Sequence, residues 1–215
     1  PVVLSRHRGD FMTLPSLRQR LKSGTPFLAP FSIIPAVEVV EAIGLAGFDG
    51  VILDLEHGAH GSEALGPLSL AAMARGIYPL VRVRSSDPTA IGAALDAGAA
   101  GVVVPQIGSA DEARRAMRAA RFAPAGNRGA NPFVRAAAYS GRAEWFAEAN
   151  AEAAVLLMIE GDSALKQMHE IIATPDLDGI FIGPMDLSHA LGVPGETGHE
   201  RVVAAIGTVI DACAA

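Results

Sequence analysis

Short apolar runs rich in β-branched residues recur along this chain: Val51 to Leu55, Pro79 to Arg84, Gly101 to Pro105, Ala154 to Ile159 and Gly179 to Gly183. Runs this short, bounded by glycine and turn residues, read as strands buried on both faces, the type found in parallel sheets. Pro26 to Ser32 adds a sixth. Helical spacing fills the gaps, and most strands fall roughly 20–30 residues apart, as βα units do. Alternation of this kind means an α/β fold around a parallel sheet.

No linker or low-complexity segment divides the 215 residues, so one domain over residues 1–215 is expected. A (β/α)₈ barrel typically takes about 250 residues and eight strands. With six strands legible, either the sheet is open or the last two βα units are missing from the chain. Helices are expected over Leu14–Lys22, Pro35–Gly44, Glu63–Arg75, Thr89–Ala97, Ser109–Ala120, Ala143–Ala151, Ser163–Ala173 and from Glu200 onward. Ser109 with Glu112 three residues on forms a capping-box pattern. Residues 1–13 read as a polar, irregular leader, and Ala123–Ser140 as a functional loop dense in turn residues.

A net charge of −6 argues against a nucleic-acid surface. The arginines at 114, 115, 118 and 121 follow Asp111 and Glu112 and read as a solvated helix face. Cys213 stands alone, which excludes an internal disulfide and a multi-cysteine zinc site. No apolar run approaches the roughly 20 residues of a membrane span. Together these lead us to expect a cytoplasmic protein.

Polar groups stand at the C-terminal ends of the strands, the edge at which α/β folds bind ligands. Asp54, Glu56 and His57 crowd the end of the second strand, Arg82 sits on the third, Glu160 ends the fifth and Asp186 follows the sixth. Two carboxylates, an imidazole and a guanidinium suit a small anionic substrate held on a divalent metal. Glu160 and Asp186 are hard oxygen donors for magnesium or manganese, Arg82 can stabilise oxyanion charge, and His57 can move a proton near neutral pH. Each has a plainer reading: Glu160 and Asp186 as helix caps, His57 as a loop residue, Asp96 as a helix end, Arg82 as a bridge to Asp54 or Glu56.

The segments FDGVILDLEHG, PLVRV, ALDAGAAGVVVPQI, FAPAGNRG, MIEG and FIGPMDLS resemble, in order and spacing, those of the HpcH/HpaI aldolase family, over about residues 14 to 212. The chain is similar to class II pyruvate aldolases of the 4-hydroxy-2-oxoheptanedioate type. That resemblance implies a (β/α)₈ TIM barrel of the phosphoenolpyruvate/pyruvate type and a divalent cation (magnesium, manganese or cobalt). It also implies aldol cleavage or addition through a pyruvate enolate, in a homo-oligomer such as a hexamer or trimer of dimers. By motif, Glu160 and Asp186 match the metal ligands, His57 the base and Asp96 the acid paired with it. Arg82 matches the arginine on the keto oxygen. Gly183, Pro184 and Met185 belong to the segment that receives the pyruvate carboxylate, and Arg128 resembles a loop arginine near the substrate. Met158 and Met185 depart from the family pattern and reshape the expected pocket. The alternatives are a decarboxylase, condensing enzyme or acyl-CoA lyase of the same family, or a non-catalytic barrel that only binds.

Overall fold

The computed structural model describes residues 14–59 and 61–214, so the expected leader lies outside the described residues. Six strands, β1 (Phe31–Ser32), β2 (Gly50–Asp54), β3 (Tyr78–Arg82), β4 (Gly101–Val104), β5 (Ala154–Ile159) and β6 (Gly179–Ile182), form one sheet. They run in chain order, each parallel to the next. The helices are α1 (Leu17–Lys22), α2 (Val37–Leu45), α3 (Leu65–Ala74), α4 (Pro88–Asp96) and α5 (Ala110–Ala119). They continue with α6 (Trp145–Glu152), α7 (Asp162–Lys166), α8 (Met168–Ile172), α9 (Pro184–Ala190) and α10 (Glu200–Ala214). Strand β1 is shorter than its sequence suggests because Pro26 and Pro30 have no N–H to give a ladder.

The two faces of the sheet are assigned by the alternation of side chains along each strand. One set, including Val51, Leu53, Val81, Val102, Val104, Val155, Leu157 and Ile159, packs under the helices as the main core. The other, including Ile52, Leu80, Val103, Ala154 and Met158, packs with Leu17 and Phe181 as an inner cluster. Phe31 on β1 and Phe181 on β6 meet edge-on across that interior, with ring centroids 5.7 Å apart. Five strand spacings in a flat sheet would separate them by roughly 24 Å, so the sheet curls with the inner cluster on its concave side. Strands β1 and β6 do not pair with each other, so among the described residues the curl is open and no closed barrel forms.

Helix α1 is capped by the Ser16 hydroxyl, which accepts from the Gln19 N–H. It lies at the N-terminal end of the strands: Leu17 is buried there, and the Tyr78 hydroxyl donates to the Pro15 carbonyl at 3.0 Å. A Cβ on Gly101 would come within 3.0 Å of the Leu17 side chain and 2.9 Å of the Ala154 carbonyl. Glycine at 101 therefore lets α1 seat, and with that end filled, the C-terminal edge stays open.

Several sequence expectations are corrected. The helix expected over Ser163–Ala173 is two, α7 and α8, broken at Gln167 with φ −112° and ψ 18°. Pro184–Ala190, which is not among the expected helices, is the helix α9, and Asp186 lies inside it and not at its cap. At α5 the Ser109 hydroxyl caps the Glu112 N–H, but the Glu112 carboxylate reaches the Gly108 N–H at 2.7 Å instead of closing the box on Ser109. Arg121 is no part of a solvated face: it is buried and, with Arg18, shares the buried carboxylate of Asp178. None of the helices is long and apolar enough to cross a membrane among the described residues.

Candidate active site

Asp54 and Arg82 close β2 and β3 in register with each other. They share the parity of Ile52 and Leu80, so both side chains project on the concave side at the C-terminal edge. The pairing is bidentate: Arg82 Nε donates to Asp54 Oδ1 at 2.9 Å and Nη2 to Oδ2 at 2.6 Å. Arg82 Nη1 lies 3.3 Å from Glu56 Oε2. Asp54 Oδ1 also accepts the backbone N–H of Glu56 (3.0 Å) and His57 (3.3 Å), which bends the chain sharply as it leaves the strand. Burial alone would push the Asp54 carboxyl up, but Arg82 and those two N–H groups outweigh it and hold it below its ordinary value. Burial likewise works against the Arg82 charge, and the carboxylates of Asp54, Glu56 and Glu160 raise its pKa overall.

Glu160 follows β5 with the same inward parity and is buried. Its Oε1 accepts the Gln106 N–H at 2.6 Å, while Oε2 is buried with no hydrogen-bond partner among the described residues. Its pKa is raised, mainly by burial. The Gln106 N–H opposes that shift, and the carboxylates of Asp186 and Glu56 add to it. A cavity of about 450 Å³ opens over these groups, lined among others by Glu56, His57, Gln106, Glu160, Asp162 and Asp186.

Gly183 borders the same carboxylate. A Cβ there would stand 2.7 Å from Glu160 Oε2 and 2.9 Å from Glu160 Cβ, although φ −98° is open to any residue. Gly183→Ala should therefore fold but displace the Glu160 side chain. We expect a stability cost of about 1–3 kcal/mol by thermal melting and a loss of turnover near 10²-fold, as a misplacement of about 1 Å gives. Wild-type turnover by this variant would show that the placement of Glu160 does not matter.

These groups suit a divalent cation. Glu160 and Asp186 are hard oxygen donors, and an orphaned carboxylate oxygen beside other carboxylates is the arrangement that a cation relieves. Among the described residues no group of three or more His, Cys, Asp or Glu side chains is assembled for a metal; Glu160 and Asp186 are the pair that would hold a cation.

The fold thus brings together His57, Arg82, Glu160, Asp186 and the turn Gly183–Met185 that opens α9. Two expected site residues are elsewhere. Helix α4 starts at its Asp87 cap beside the C-terminal edge and descends, leaving Asp96 roughly 13 Å further along the helix axis at about 1.5 Å per residue. There Asp96 accepts from Arg128 Nη2. Arg128 is buried, with its guanidinium over the Phe122 ring at 4.4 Å, because its loop follows the descending helix α5. It lines a second, more apolar cavity with Leu17, Tyr78 and Trp145 at the N-terminal edge. Within this chain the expected His57–Asp96 pair is not formed. The exposed His57 ring instead has Nε2 4.0 Å from Glu56 Oε2, too far for a hydrogen bond.

Asp54, Glu56 and Gln106 carry more of the site than sequence reading gave them. The rule that found the others, a polar residue just past a buried strand, applies equally to Gln106 after β4. Of the two methionines, Met158 is buried in the inner cluster below Glu160 and Met185 is half exposed at the rim.

The family model for HpcH/HpaI aldolase/citrate lyase matches residues 31–215. A hydroxypyruvate/pyruvate aldolase of Paraburkholderia phytofirmans is 36% identical over 202 residues, covering 91% of this chain and 78% of the relative. A 4-hydroxy-2-oxo-heptane-1,7-dioate aldolase of Escherichia coli is 34% identical over 196 residues, with 91% and 75% covered. The crystal structure of an HpcH/HpaI aldolase/citrate lyase family protein from Burkholderia cenocepacia superposes with a TM-score of 0.86 at 34% identity, over 91% of this chain and 79% of that one.

Proposed function

The chain belongs to the HpcH/HpaI aldolase/citrate lyase family and is a carbon–carbon lyase, and from that premise we propose that it is a metal-dependent aldolase. Its reaction is cleavage of a 4-hydroxy-2-oxo acid to pyruvate and an aldehyde, or the reverse addition. The observation that carries this reading is the buried, unpartnered Oε2 of Glu160 in one cavity with Asp186 and His57, beside Arg82. Glu160 and Asp186 would hold magnesium, manganese or cobalt. A divalent cation bound there supplies Lewis-acid stabilisation of the charge that cleavage leaves on the 2-oxo oxygen.

The chain's own groups supply the rest. Arg82 gives two of its N–H donors to Asp54 and sets Nη1 3.3 Å from Glu56 Oε2 as an ion pair, which leaves further donors for the substrate's 2-oxo oxygen. Helix α9 begins at Pro184, after Gly183, with no side-chain cap; the proline has no N–H, so those of Met185 and Asp186 lack an intrahelical acceptor and suit the substrate carboxylate. His57, lining the cavity with its ring exposed, takes the 4-hydroxyl proton. Schiff-base chemistry has no lysine here: Lys22 lies in α1 and Lys166 in α7, paired with Asp162. The family resemblance extends the proposal to a (β/α)₈ barrel architecture and a homo-oligomer.

The test is a coupled pyruvate assay on a panel of 4-hydroxy-2-oxo acids with added manganese, run beside exchange of pyruvate methyl protons in D₂O. We expect cleavage and exchange, both lost in excess chelator. Full exchange by metal-free protein would refute the mechanism. His57→Ala should slow cleavage by about 10²–10⁴-fold with manganese affinity unchanged; undiminished cleavage would remove His57 from its role.

A further inference from the structure

Gln106 is one of the few non-glycine residues in the left-handed region, with φ 57°. Glutamine gains nothing from that conformation and pays strain for it, where glycine would turn from β4 toward α5 freely. Nor does packing explain it, because the side chain is exposed to the cavity and absent from the core clusters. Its hydrogen bonds do. The backbone N–H reaches Glu160 Oε1 at 2.6 Å, and the carboxamide Nε2 reaches Glu56 Oε1 at 2.9 Å. Glu56 Oε2 lies against Arg82 Nη1, so both Glu56 oxygens are engaged, whereas Glu160 keeps one oxygen open.

We infer that Gln106 is a positioning residue that assigns the two neighbouring glutamates different tasks. It leaves Glu160 a single oxygen to offer a divalent cation and ties Glu56 to Arg82, away from that cation. This inference rests on the cation-dependent reading of the same cavity. A neutral donor is needed, because a cationic side chain at 106 would itself neutralise Glu160 and compete with the metal. Without the carboxamide, Glu56 Oε1 is free to turn toward the cation as a further carboxylate ligand.

Gln106→Gly separates this role from a mere turn, since glycine keeps the N–H to Glu160, relieves the strain and removes only the carboxamide. The full chain is titrated with Mn²⁺ and followed by electron paramagnetic resonance, and methyl-proton exchange of pyruvate is measured on the same samples. We expect Gln106→Gly to melt no lower than wild type, to exchange protons roughly 10–100-fold more slowly, as loss of an outer hydrogen-bond partner does, and to give an altered Mn²⁺ spectrum. Gln106→Ala should match it in both readouts. Wild-type exchange and an unchanged spectrum in Gln106→Gly, alongside a wild type that binds Mn²⁺ and exchanges, would overturn this inference alone. A wild type that neither binds Mn²⁺ nor exchanges protons would overturn the proposed function and this inference with it.

Discussion

Glu160→Gln should abolish cleavage and proton exchange while raising the melting temperature of the metal-free protein. Glutamine keeps an oxygen to accept the Gln106 N–H but loses the charge, so the loss of turnover should exceed the ~10–100-fold typical of outer-sphere changes. The stability gain follows from the raised pKa of Glu160, caused first by burial and then by the Asp186 and Glu56 carboxylates. For a carboxyl raised in the folded state, stability is fully present below the unfolded value, 4.5, and is lost as pH rises through the higher folded value. Wild type thus carries the whole penalty at neutral pH, and the variant carries none. Melting curves of chelator-treated protein should separate near neutrality, by roughly 2–4 °C for each kcal/mol relieved, and converge in acid. Added manganese should narrow the gap by stabilising only wild type. A variant that melts below wild type at neutral pH would mean that Glu160 is not under electrostatic strain.

Asp54→Ala should be the most destabilising single change in the site. The Asp54 side chain is 2% exposed and that of Arg82 11%, so removing the acid leaves a buried guanidinium without its bidentate partner. Breaking such a pair costs about 3–5 kcal/mol, a fall of roughly 6–20 °C in melting temperature for a domain of this size. The N–H groups of Glu56 and His57 lose their shared acceptor as well, so the turn that presents His57 loosens. The sign with pH is opposite to that of Glu160. The Asp54 pKa is lowered in the folded state, so its contribution is present above 3.8 and lost as pH falls through the lower folded value. The deficit of Asp54→Ala against wild type should therefore be full at neutral pH and shrink only in strong acid. A deficit under ~1 kcal/mol by denaturant titration would class the pair with exposed bridges.

What the sequence determined by itself was local. Apolar runs such as Val51–Leu53 and Val102–Val104 can be stable only as buried strands, and side-chain alternation then sends Asp54, Arg82 and Glu160 to one face at one end. The cap at Ser109 and the prolines before β1 are local too, readable to within a residue or two. Contacts distant in sequence were decided by the tertiary structure. A helix-end aspartate and a loop arginine, Asp96 and Arg128, matched family motifs, yet α4 and α5 run away from the C-terminal edge of the strands and leave them paired at the far end. Arg121 sat among solvated arginines in the sequence and is buried because Asp178, 57 residues on, offers its carboxylate. Gln106 shares with the other site residues only its place just past a buried strand. Its left-handed turn and its reach to Glu160 and Glu56 exist only once β4 lies beside β5 and the curled sheet closes the distance to β2. Periodicity along a chain fixes which face a side chain takes, but the partner that face meets depends on the curl of the sheet and the direction of each helix, and no single segment encodes either.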